Sequence, residues 1–373
     1  NTCRFLWKQV KFPLATDASN AAVQVLKEGE VQGSDVAAHS AGVLDIRTNI
    51  LADTDALYLT AIDKYGHELW RWTFPVNKLN QQTEQLFPLS SRPTYTETEN
   101  DLTVKANKRT FIFSKKDGQL KGVSVDNRKI SFANGPRFIG ARRADRSLDQ
   151  FYNHDDEKAK EKDRTYSEFP DAAVFTKLDV KEDGGNLVVT ANYKLGNLDK
   201  AQWTINPSGD LALDYTYNFS GVVDLMGIRF DYPEDQVISK RWLGAGPYRV
   251  WQNRIHGTQY DIWENDYNDP IPGETFTYPE FKGYFGNVSW MNIQTKEGTI
   301  SLTNETPDAY IGVYQPRDGR DRLLYTLPES GISVLNVIPP VRNKVNSTDL
   351  CGPSSQPKWV NGPQTGRVIF RFM

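Results

Sequence analysis

The sequence is poor in the residues that most often carry chemistry. Its 373 residues include two cysteines, four histidines and three methionines. Cys3 and Cys351 stand at opposite ends of the chain, so they form neither a metal motif nor a disulfide framework, and both read as free thiols. There is no run of 18 apolar residues, which excludes a membrane-spanning helix. Neither sign of charge dominates. Forty-four Lys and Arg oppose 47 Asp and Glu, for a net charge of −3. Without a basic stripe, nucleic acid is excluded as the main partner. Helical periodicity is almost absent. An initiator Met is absent as well: the chain begins "NTCRFLWKQVKF" and reads as a cut inside a longer protein, so no leader can be read from it.

Aromatic residues are plentiful. Nine Trp, 17 Tyr and 18 Phe make up 12% of the chain. Flat, rigid rings suit both the core of a β-sandwich and stacking on the apolar faces of sugars. The length favours two domains, because single cores tend to split beyond about 250 residues.

Short stretches alternate apolar and polar residues throughout, with the period of two that marks half-buried strands. In residues 1–76 these are "GVLDIRTNI", "ALYLTAIDK" and "ELWRWTFPV", with a hairpin turn at "DKYG", residues 63–66. This block reads as an N-terminally truncated immunoglobulin-like sandwich, since such a fold takes about 100 residues. A cut sandwich should leave an apolar face open, with Trp70 and Trp72 on its last strand. Residues 77–93 are polar with two prolines and read as a linker. From residue 94 to 373 the strands resume as one large antiparallel sandwich. Turns are expected at Asp117-Gly118 and at "NPSGD", residues 206–210. The run "HDDEKAKEKDR", residues 154–164, has no apolar face and reads as a solvated loop, with His154, Asp155 and Asp156 as the alternative metal reading.

One segment, "RWLGAGPYRVWQNRIHGTQYDIWENDYND", residues 241–269, packs three Trp, three Tyr, three Arg and four acidic residues together. With "DLTVKANKRTFIFSKKDGQLKGVSVDNRKI" before it and "YPEFKGYFGNVSWMNI" after it, the segment resembles the C-terminal domain of family 2 glycoside hydrolases of the β-galactosidase type. "AAHSAGVLDI" and "ALYLTAIDKYGHELWRWTF" resemble the last strands of the immunoglobulin-like domain that precedes it. The resemblance covers essentially the whole chain in the right order. It implies an all-β chain: a partial immunoglobulin-like sandwich followed by a galactose mutarotase-like supersandwich.

The resemblance further implies hydrolysis of terminal β-linked sugars by two carboxylates on a (β/α)₈ barrel. No such barrel pattern occurs here, so no catalytic residue is expected in this chain. The expected partners are that barrel and carbohydrate, with a homo-oligomer open to the whole enzyme. No cofactor is expected in this stretch; a divalent or sodium ion belongs to the whole enzyme. A periplasmic or secreted bacterial setting is favoured over a cytoplasmic one. Two departures from the family stand out. The family's "R-A-P-x-D-N-D" run is replaced by "GPRFIGARRADRSLDQ", which keeps Arg137 and dilutes the acids to Asp145 and Asp149. The last loop carries no Trp before Trp359.

The candidate carbohydrate contacts are Arg137, Arg249, Trp251, Arg254, His256, Tyr260, Trp263 and Glu264. An arginine fork can hold a carboxylate or a pair of sugar hydroxyls, or it can pair with Glu264 or Asp266 to fix a loop. Trp251, Tyr260 and Trp263 can form a sugar platform or pack beneath the loop. Glu264, Asp266, Asp269, Glu274 and Glu280 could offer oxygen ligands to Ca²⁺ or Na⁺, but their spacing matches no ligand loop and "YNDPIPGE" reads first as a turn-rich surface loop. A third class of function, a mutarotase-like epimerase, requires His154 and His256 beside a carboxylate.

Overall fold

The computed structural model describes residues 3–76, 92–143, 166–267, 271, 282–314, 327–341 and 352–373. The expected linker and the 154–164 run, with its three candidate metal ligands, fall wholly or mostly outside these residues, as do Asp145, Asp149, Asp269, Glu274, Glu280 and Cys351. Among the described residues there is no α-helix, and no helix is long and apolar enough to cross a membrane. The chain is all-β. It divides into two compact units, residues 1–85 with 259–262, and residues 86–258 with 263–373.

The first unit holds a four-stranded antiparallel sheet of β1 (Arg4–Lys11), β2 (Gln24–Gln32), β3 (Ala56–Ile62) and β4 (Glu68–Pro75), in the order β2-β1-β3-β4. The turn at 63–66 joins β3 to β4, where the Gly66 amide donates to Asp63. The alternating stretch at 42–50 is not a strand. The reason lies in Gln9, a fully buried residue of β1. Its amide donates to Thr48 and to the Asn49 carbonyl, and accepts from the Leu51 amide and the Thr54 hydroxyl. One side chain takes the role a neighbouring strand would have, and the segment crosses as an extended loop. On β4, Trp70, Trp72 and Phe74 are exposed. On the opposite face the Tyr58 hydroxyl donates to Asp261 at 2.6 Å, Arg71 donates to the same carboxylate at 2.5 Å, and Tyr260 meets Phe12 edge-on.

The second unit carries the remaining strands. They are β5 (Thr94–Glu97), β6 (Asp101–Ala106), β7 (Arg109–Ser114), β8 (Leu120–Val125), β9 (Arg128–Ile130), β10 (Ala133–Arg143), β11 (Tyr166–Glu168), β12 (Val174–Asp183), β13 (Asn186–Lys194), β14 (Leu198–Ile205), β15 (Leu211–Val223) and β16 (Leu225–Asp231). There follow β17 (Val237–Gly246), β18 (Gln259–Asp266), whose first four residues group with the first unit, β19 (Trp290–Thr295), β20 (Gly298–Asn304), β21 (Tyr310–Val313), β22 (Ile332–Val337) and β23 (Lys358–Phe372). One sheet runs β21-β22-β16-β10-β8-β7-β6-β5, with β9 and β11 at its side. The other runs β12-β13-β14-β15-β23-β20-β19-β17-β18. The two sheets bury one core between them. Phe113 meets Trp203, Phe138 meets Tyr217, and Phe230 meets Phe370 across the sheets at ring-centroid distances of 5.9, 5.4 and 5.3 Å.

Local turn chemistry sets the hairpins. Asn107-Lys108 and Asp126-Asn127 each have two successive residues at positive φ, the geometry that matches strand twist in a two-residue hairpin. The turns expected at Gly118 and at 206–210 are present. Beside the second turn, Arg371 on β23 grips Asp210 with two bonds of 2.6 Å. Burial alone would raise the Asp210 carboxyl pKa, but the bonds and charge of Arg371, with Ser208 and Asn206, outweigh it and hold it low. A carboxyl depressed on folding adds stability above its unfolded pKa, about 3.9. That stability is lost as pH falls through the folded value. Asp210→Asn is therefore expected to cost about 1–3 kcal/mol at pH 7. In urea titrations the gap to the unsubstituted chain should shrink as the pH drops below about 4. A gap independent of pH would remove the pair from the account of acid stability.

Candidate functional site

The ring-rich segment at 241–267 turns out to be mostly wall. β17 ends in Gly244-Ala245-Gly246, and two indoles lie over this turn. Trp242 donates to the Ala245 carbonyl at 3.0 Å and Trp263 donates to that of Gly244 at 3.2 Å. Only a glycine fits at 246, because a Cβ there would come 2.4 Å from the Trp263 ring. Beyond it, Val250 and Tyr284 exchange both backbone hydrogen bonds. This bridge buries Trp251, 2% exposed, edge-on against Tyr284 in a core with Ile139, Leu335 and Val341. The Trp251 ring thus packs beneath the segment and offers no face to solvent. Arg249 is likewise buried, with its guanidinium 6.0 Å from the Phe285 ring centre.

The other candidates scatter. Arg254, His256 and Glu264 are exposed. The His256 carbonyl accepts from the Tyr248 hydroxyl at 2.7 Å. Tyr260 packs in the first unit on Phe12, and Trp263 packs in the second. Trp251 is buried and so contributes no open face to a platform. The pairing of His256 with His154 falls outside the described residues. Among the described residues no cluster of three or more His, Cys, Asp or Glu is placed to hold a metal ion.

Arg137 leads to a different place. Between Ala133 and Arg137 the register of β10 against β16 shifts, a bulge that includes Asn134 at positive φ and a cis Gly135-Pro136 bond. Bulges bend a strand and re-aim its side chains. Here the bulge sets Arg137 opposite Arg229 of β16. Two like charges in direct register are unfavourable unless compensated. Arg137 pairs with Asp231, which also accepts from Asn134 at 2.9 Å. Arg229 donates to the Glu329 carbonyl and lies 3.7 Å from Glu168. Asp171 adds a carboxylate within the field of both arginines. The Nε of each arginine is buried without a hydrogen-bond partner.

Asn134, Arg137, Arg229, Asp231 and Glu329 line a groove of about 750 Å³ with Lys121, Lys129, Tyr232, Glu234, Tyr314 and Gly331. Tyr314 holds φ at +63°, which is rare for a bulky residue and costs on the order of 1–3 kcal/mol. Its amide donates to the Gly331 carbonyl at 2.6 Å and its hydroxyl to that of Pro233 at 3.0 Å. Burial is the largest cause of the raised pKa of its hydroxyl, which stays protonated as a donor. A second groove of about 410 Å³ adjoins, lined by Asn100, Asp101, Ser114, Lys116, Asp117 and Gln119, and the two share Lys121 and Asn134. Of all these lining residues, sequence reasoning found Arg137 alone. The turn "FDYPED", residues 230–235, mixes rings and acids and was the available signal.

Among solved structures, the chain is similar to a galactose 1-epimerase from Lactobacillus acidophilus NCFM at 10% identity, covering 76% of this chain and 99% of that one, with a TM-score of 0.40. It is also similar to a GalM/aldose epimerase homologue from C. elegans at 8% identity, covering 75% and 99%, with a TM-score of 0.36. Similarity this low adds nothing about what the chain acts on. No curated protein sequence matches it. The family model described as the β-galactosidase small chain matches residues 105–338, which run from β6 through β22 and include both arginines of the groove. The chain is a member of the β-galactosidase small-chain family.

Proposed function

We propose that this chain is the non-catalytic C-terminal part of a family 2 glycoside hydrolase, and that it supports a catalytic barrel supplied outside these residues. The observation that carries the reading is the small-chain match across the large sandwich, residues 105–338. A small chain acts beside a larger one, and the expected partner is the barrel that bears the two carboxylates. In this reading the 241–263 segment is scaffold, since Trp251 and Arg249 serve packing. Polar loops at the strand ends carry the contacts, as is usual where a rigid sandwich presents a site.

The test is enzymatic. The chain alone, assayed on aryl β-galactoside, β-glucuronide and α-arabinoside, is expected to give no turnover. Co-purified with a family 2 catalytic barrel, it is expected to form a complex by size-exclusion chromatography. Turnover by the chain alone, abolished by substituting one of its own residues, would overturn the reading. A second reading, an independent carbohydrate-binding module, draws on the polar groove around Arg137.

A further inference from the structure

The two adjoining grooves on the second unit are unusual in their charge. Their cations are Lys116, Lys121, Lys129, Arg137 and Arg229. Their anions are Asp101, Asp117, Asp231, Glu234 and Glu329. The lining is dense in charge yet balanced. A groove built for an anionic ligand would carry a surplus of cations, and one built for a cation would carry the reverse. A balanced groove offers donors and acceptors in alternation without selecting for net charge. That pattern fits a ligand whose hydroxyl groups each donate and accept.

A further observation points to a ligand here. The backbone leaves its ordinary range twice at this place, at Asn134 with φ of +53° and at Tyr314 with φ of +63°. Strain of this kind persists where the surroundings over-determine it, and it concentrates at binding sites. Size bounds the ligand. The larger groove, about 750 Å³, lies in the range of sites that enclose drug-sized ligands, and the smaller continues it past Lys121 and Asn134. Two adjoining grooves of this size have room for a chain of sugar rings rather than a single ring.

We infer that the joined grooves bind a neutral oligosaccharide of more than one sugar residue. Arg137, Asp231 and Asn134 hold hydroxyls in the larger lobe, and Lys121 bridges to the smaller lobe. The inference rests on the carbohydrate reading given above but needs no catalytic partner.

Calorimetric titration of the whole chain tests it, with galactotetraose and cellotetraose as neutral ligands, tetragalacturonate as the charged one and galactose as the monosaccharide. A neutral tetrasaccharide is expected to bind about tenfold or more tightly than galactose. Arg137→Ala is expected to weaken tetrasaccharide binding about tenfold, the scale of one charge-assisted hydrogen bond. Lys121 is half-exposed, so Lys121→Ala leaves folding intact and is expected to weaken the tetrasaccharide but not a disaccharide. Lys177→Ala, on β12 and outside the grooves, is expected to change nothing. Tighter binding of tetragalacturonate than of both neutral ligands would overturn the inference. So would binding to none of them, or neutral binding indifferent to both groove variants. Turnover by the chain alone would instead remove the non-catalytic reading and leave the groove untouched.

Discussion

Trp251→Ala is expected to lower the free energy of unfolding by about 3–5 kcal/mol, the usual cost of emptying a large aromatic site in a core. The residue is 2% exposed and meets Tyr284 edge-on at 5.7 Å. It stands beside Val250, whose two hydrogen bonds with Tyr284 tie the 241–263 segment to the sandwich. Truncation leaves a cavity in the cluster that holds Ile139 of β10, Leu335 of β22 and Val341. Urea denaturation should show a lower midpoint with an unchanged slope. Trp251→Phe should recover part of the loss. The same variants discriminate between the two roles a Trp in this segment could take. A packing Trp loses stability and leaves oligosaccharide affinity alone. A sugar platform would do the opposite, and that outcome would move the binding site from the Arg137 groove to this segment.

Gly331→Ala is expected to cost about 3 kcal/mol, and to weaken oligosaccharide binding as well. Two effects add here. The residue sits at φ of +51°, where a side chain costs about 1–2 kcal/mol. A Cβ would also come 2.1 Å from the Phe230 carbonyl oxygen, a backbone atom that cannot swing aside. Overpacking of a fixed site costs about 1–3 kcal/mol. The main chain must therefore shift, and the Gly331 carbonyl holds the amide of Tyr314, the strained residue of the groove wall. A fall in thermal midpoint together with a loss of tetrasaccharide affinity is the expected pair. Loss of stability with full affinity would show that the position of Tyr314 is irrelevant to binding.

Short-range chemistry makes parts of this architecture legible in the amino-acid order. The turns at Asp117-Gly118 and 206–210 follow from Gly, Asn and Asp chemistry acting over four residues. The strands from β6 to β8 follow from alternation with a period of two. Alternation misleads at 42–50, because an extended loop and a strand share it. What separates them is the partner of the backbone, and here that partner is the Gln9 amide, some 40 residues away. The abundance of rings and charges at 241–269 also carries two meanings. Burial decides between them, and burial is a property of what packs above a residue rather than of the residue.

The sequence by itself determined that the chain is all-β, that its sheets are antiparallel, and which family it resembles. Each of these rests on short-range signals: side-chain period, turn residues and local motifs. Only the tertiary structure decided where polar chemistry gathers. Arg137 and Arg229 are 92 positions apart, and Tyr314 lies a further 85 along the chain. They meet because β10, β16, β22 and β21 are neighbours in one sheet with a definite register, and because a bulge turns Arg137 toward Asp231. Strand order and register are chosen by the summed packing of two sheets, so the groove belongs to that sum and to no single stretch of the chain.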